Sequence, residues 1–182
     1  MLASLVSERK SIKSRSIVTA FGIVMCVALP QLFHLLGAAS GMGGSLGAAF
    51  LPMYLPVLFV GLFSGAIAGM VCGIVSPMIS YAMTAMPAAP MLPFMVIELA
   101  VFGLTAGILS ERKMPCIIKV LIAQLLGRGV RLLSVLFAFY VLGQYAFTVS
   151  QTLNLLLQGL PGILLQLCLL PLLMYRLEKL ND

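Results

Sequence analysis

Ionisable side chains are scarce in this chain: 9% of its 182 residues are charged, with five acidic residues and one histidine, where soluble domains carry roughly 25%. That scarcity excludes an ordinary water-soluble globule. Catalytic motifs are missing as well. There is no H-E-x-x-H, no P-loop and no Ser-His-Asp set, so the sequence is not read as an enzyme and supplies no machinery for ATP hydrolysis. The four cysteines, Cys26, Cys72, Cys116 and Cys168, form no C-x-x-C pair. They read as small core residues rather than a metal or disulfide framework.

What is present is apolar sequence: 62% hydrophobic residues and a mean hydropathy of +1.15. The fold class expected is all-α, an integral membrane bundle in a lipid bilayer. The length holds about five or six spans of roughly 20 residues, with nothing left for a soluble catalytic module. Net charge is +6, in clusters at Arg9, Lys10, Lys13 and Arg15, at Arg112, Lys113 and Lys119, and at Arg176 and Lys179. Each cluster abuts an apolar run and none is interleaved with aromatics, which argues for cytoplasmic anchors and against nucleic-acid binding.

Six spans are read, as one membrane domain, at about 16–36, 51–64, 66–86, 91–109, 117–143 and 153–175. The first is longer than a cleavable signal h-region and is expected to be retained. The run 51–86 would make one helix of about 54 Å against a core of about 30 Å, so it must fold back. Gly61, Gly65, Gly69 and Gly73 recur every four residues there, placing the turn between Ser64 and Gly69 and allowing close helix approach. Three prolines between Met86 and Pro93 end the third span. With both termini cytoplasmic, the outer loops 37–50, 87–90 and 144–152 contain no Lys or Arg, as the positive-inside rule requires.

Against that background Glu98, Arg128 and Arg131 are out of place, since charges within spans are costly and mark sites that bind or move something. Helical rise puts Glu98 about 10 Å below the outer boundary, Arg131 about 18 Å from the outer end of its span and Arg128 about 22 Å. The arginines, at i and i+3, share a helical face. One glutamate cannot neutralise both, so an anionic ligand group, carboxylate or phosphate, is a natural third partner. A buried Glu-Arg pair that only fixes helix register is the competing reading. His34, Tyr54, Met42, Met53, Met83, Met86, Met91 and Met95 also fall near the outer side, where methionines serve as adaptable packing or, with His34, as ligands of a soft metal or haem.

The run Leu51-Pro52-Met53-Tyr54-Leu55-Pro56-Val57, the glycine ladder leading into Ser76-Pro77, the Met86-Pro87 turn, Glu98-Leu99-Ala100 with Gly103, and Gly127-Arg128 resemble the substrate-binding S components of energy-coupling factor (ECF) transporters. The resemblance covers about residues 16–175. It implies a six-helix protein of a prokaryotic plasma membrane that captures a vitamin or related micronutrient from outside. It also implies partners: a transmembrane T component and two ATPase subunits that hydrolyse ATP, with no cofactor on the chain itself. The resemblance places the substrate in the outer half beneath the loop between the first two spans, here a glycine-rich lid from Gly37 to Phe50, and the substrate-binding residues expected are Glu98, Arg128, Arg131, Tyr54, Met53 and His34.

Members of that family commonly dock through small residues at four-residue spacing in the first span. Here Ala20 is followed by Val24, with Gly22 and Cys26 a neighbouring small pair, so the docking set is read as Ala20, Gly22 and Cys26. The chain also departs from the family in having Tyr54 where histidine is frequent and Ala66 where proline is frequent. A ligand such as pantothenate, folate or niacin suits the charges, and a tetrapyrrole suits the methionines. A membrane enzyme acting on lipid or isoprenoid phosphates, or an assembly subunit using the ladder only to pack, are the other classes considered.

Overall fold

The computed structural model describes residues 12–41, 43, 45–141, 143 and 149–181, and every regular element among them is helical. The expectations placed on Met42, on Arg9 and Lys10, and on residues 144–148 lie outside the described residues. The helices are α1 (Ile12–Ala39), α2 (Ser45–Phe50), α3 (Tyr54–Ser64), α4 (Ala66–Thr84), α5 (Leu92–Ser110), α6 (Cys116–Tyr140), α7 (Val149–Gln158) and α8 (Leu160–Asn181).

Among the described residues five stretches are long and apolar enough to cross a membrane: Ser16–Ala39, all of α4, α5 and α6, and Leu160–Leu177. The outward faces of α1 and α6 expose Ile17, Phe21, Val24, Leu125, Leu133 and Phe137, unfavourable in water and natural against lipid. These features are those of a multi-pass membrane protein. The 11 residues of α3 reach only about 16 Å, roughly half a bilayer core.

α5 lies at the centre, packed by α3, α4 and α6, while α1 covers α3 and α4, and α8 closes against α6 and α2. Small residues make this possible. A Cβ on Gly61 would meet the Gly103 carbonyl at 2.6 Å, and Cβ atoms on Gly69, Gly73 and Gly103 would run into the backbone of the facing helix. The ladder is therefore not one stripe on one helix. Gly61 stands on α3 and Gly69 and Gly73 on α4, both turned towards α5, and Gly65 is the break between them.

At Gly65 the backbone has φ 99° and ψ 179°, a region that only glycine enters without strain. The fold-back expected between Ser64 and Gly69 is this single residue. Along α3 and α5, Leu58, Leu99 and Phe102 are fully buried, forming with Val57, Val60 and Cys72 the main apolar core. At the far end of α5, Lys119 Nζ donates to the Ser110 carbonyl at 2.9 Å, supplying a cation to a helix C-terminus.

Three boundaries differ from the sequence reading. The expected lid, Gly37 to Phe50, is largely helical, because α1 continues to Ala39 and α2 occupies 45–50. The expected span 51–64 begins as a bend rather than a helix. Leu51 has φ +48°, and Pro52 disfavours helical backbone in the residue before it, so α3 starts only at Tyr54. The expected span 153–175 is divided at Gly159, where a Cβ would meet Leu51 Cδ1 at 2.7 Å. The joint of α7 and α8 thus packs onto the joint of α2 and α3.

Candidate functional site

Three helices deliver the buried polar residues. The bend at residues 51–53 places Tyr54 at the start of α3, its N–H donating to the Leu51 carbonyl at 3.1 Å. Glu98 lies in the second turn of α5, on the side that α3 and α6 cover, and is 0% exposed. Arg131 sits midway along α6 at 4% exposure.

Their heads meet at one carboxylate oxygen. Tyr54 Oη donates to Glu98 Oε2 at 2.7 Å, and Arg131 Nη1 donates to the same oxygen at 2.8 Å. Arg131 Nη1 also lies 3.4 Å from Tyr54 Oη, closing a triangle. Phe102 presents an edge-on ring to Tyr54, with centroids 5.2 Å apart, and holds the phenol between apolar walls. Removing one partner of such a pair leaves a buried charge alone, at a cost of about 3–5 kcal/mol.

Arg128, one helical turn earlier and half-buried, is built differently. Its Nε donates to Gln124 Oε1 at 3.2 Å, and its guanidinium carbon lies 5.8 Å from the centroid of the Tyr54 ring. That is a cation–π arrangement, worth more where water is thin. Gln124 Nε2 in turn donates to Gln166 Oε1 at 2.6 Å, and Gln166 Nε2 to the Leu51 carbonyl at 3.4 Å. A continuous relay therefore runs from Arg128 through α6 and α8 to the bend that positions Tyr54.

The two arginines share a helical face as expected, but they do different things. Arg131 is the ion-pair partner of Glu98. Arg128 meets only a neutral amide and an aromatic face among its described contacts. With one carboxylate and two guanidiniums, the buried set carries one surplus positive charge. Glu98 Oε1 and Arg128 Nη2 are buried without a hydrogen-bond partner among the described residues, and each such atom costs about 1–3 kcal/mol.

The remaining residues singled out in the sequence fall elsewhere. Met53 is 3% exposed in the apolar core, its carbonyl accepting from Cys26 Sγ at 3.5 Å. His34 packs against α2, its ring 3.3 Å from where a Cβ on Gly47 would stand, and does not join the Glu98 group. Gly22 faces Val60 and Cys72, and Cys26 is fully buried with its sulfur 3.9 Å from that of Cys72, so both lie inside the bundle. Of the three docking residues, Ala20 alone is exposed.

Gln124 and Gln166 were not singled out from the sequence. The available signal was plain: each is an uncharged polar residue in an otherwise apolar span, and side chains of this kind hydrogen-bond across membrane helices. Comparison of the chain with protein-family models, with curated proteins and with solved structures finds no match.

Proposed function

We propose that the chain is the substrate-specific S subunit of an ECF-type importer in a prokaryotic plasma membrane. It captures a micronutrient bearing an anionic group and passes it to a transmembrane T component driven by two ATPase subunits. In this reading α1, α4, α5, α6 and α8 each cross as one helix, α3 completes a sixth crossing together with the 51–53 bend and α2 before it, and both termini are cytoplasmic. The absence of Lys and Arg from 37–50, 87–90 and 144–152 supports that orientation.

The observation that carries the reading is the surplus positive charge. Glu98 is already bonded by Arg131 and Tyr54, while Arg128 stands beside them over an aromatic face. A lone helix-register pair needs no second arginine at this depth, where each charge costs about 2.5–3.5 kcal/mol. The sequence motifs that resemble S components add to it, since they include Tyr54, Glu98 and Arg128 themselves.

The reading is tested by expressing the chain with the T component and ATPase subunits of its host and purifying it in mild detergent. A stable complex, with a small molecule released in native mass spectrometry, is the expected result. Failure to associate with any of these subunits overturns it.

A further inference from the structure

The unpartnered atoms of the site are of opposite kinds. Glu98 Oε1 can only accept from a ligand, and Arg128 Nη2 can only donate. Both belong to groups on Tyr54: the carboxylate is bonded to its hydroxyl at 2.7 Å, and the guanidinium lies over its ring at 5.8 Å from the centroid. Phe102 stands edge-on to the same ring and belongs with Tyr54 and Met53 to one core cluster, against which Met95 packs.

We infer that the site recognises a small carboxylate or phosphate that also carries a neutral N–H or O–H donor a few atoms away. Arg128 takes the anion and Glu98 Oε1 takes the donor. Arg131 answers the carboxylate rather than the ligand: its Nη1 is bonded to Glu98 Oε2 and lies 3.4 Å from Tyr54 Oη. A purely anionic ligand suits this site poorly, since it would face the open carboxylate oxygen with another acceptor. A purely neutral donor leaves the surplus charge of the arginines unanswered. The inference rests on the proposed function only in taking the site to face a captured solute.

Three probes that differ by one group each separate the contributions: 3-hydroxy-3-phenylpropanoate, with anion and donor; 3-phenylpropanoate, without the donor; and the methyl ester of the hydroxy acid, without the charge. Binding is measured by calorimetry and thermal shift on the full chain in lipid nanodiscs. The hydroxy acid is expected to bind at least about tenfold tighter than either of the others, as loss of one hydrogen bond to a charged group predicts. In Arg128→Gln its advantage over the methyl ester should shrink to less than about twofold, while its advantage over 3-phenylpropanoate persists.

Equal binding of the hydroxy acid and 3-phenylpropanoate overturns the role of Glu98, without any variant that risks misfolding. A charge preference that survives in Arg128→Gln overturns the role of Arg128, and no binding of any probe at millimolar concentration overturns the ligand class. Complex formation with the T component and ATPases is followed in parallel. A complex that forms while the probe pattern fails refutes the ligand class alone, and the pattern without a complex refutes the subunit reading alone.

Discussion

At the scale of single residues, the site is a charged pair with one neutral donor attached, and its members are not equivalent. Glu98→Ala should cost about 3–5 kcal/mol of stability by stranding Arg131, as should Arg131→Ala by stranding Glu98. The double variant Glu98→Leu/Arg131→Met should cost less than either, because no charge is then left buried. Tyr54→Phe removes the bond donated to Glu98 and the longer one accepted from Arg131, strands no charge, and should cost about 1–2 kcal/mol. Unfolding in mixed micelles on all four variants checks this order, and a double variant worse than both singles contradicts it. That Glu98 would meet an arginine of the next span was legible in the sequence, because opposite charges in adjacent spans have few other partners; that it would be Arg131 rather than Arg128 was not. The hydroxyl of Tyr54 was not legible as their third member, since nothing in the sequence shows where the bend at Leu51 aims it.

At the scale of helices, separations are set by glycine. Gly103→Val would drive a side chain into the Gly69 backbone and should cost about 3 kcal/mol by forcing α4 from α5. Gly129 has nothing within 4 Å of its Cβ position and lies in the interior of α6, so Gly129→Ala should be neutral or stabilising by about 0.5–1 kcal/mol. Thermal unfolding of the two proteins distinguishes contact glycines from incidental ones. The fold-back at Gly65 followed from simple length, since the run from 51 to 86 exceeds a bilayer as one helix. The division of α2 from α3 and of α7 from α8 did not, because hydropathy is blind to backbone direction. Leu51 with positive φ, and Gly159 pressed against it, are tertiary consequences of one joint packing on another.

At the scale of the molecule, the proposed orientation makes opposite ends of α5 face opposite compartments. With Cys116 and Cys168 replaced by serine, a cysteine at Ala88 should react with an impermeant maleimide in intact cells. One at Lys113 should react only after the membrane is opened. The reverse pattern refutes the orientation. The relay from Arg128 to Leu51 ties α6, α8 and the bend before α3 together, and it has a polarity. A guanidinium only gives hydrogens and a backbone carbonyl only takes them. Both glutamine amides between them are therefore set in one sense, oxygen towards Arg128 and nitrogen towards Leu51. Withdrawing Arg128 from Gln124 releases the constraint at one end, and each amide behind it is then free to turn over. The bend beneath Tyr54, a residue that itself precedes Arg131 by 77 positions, is in this way made answerable to whatever claims Arg128.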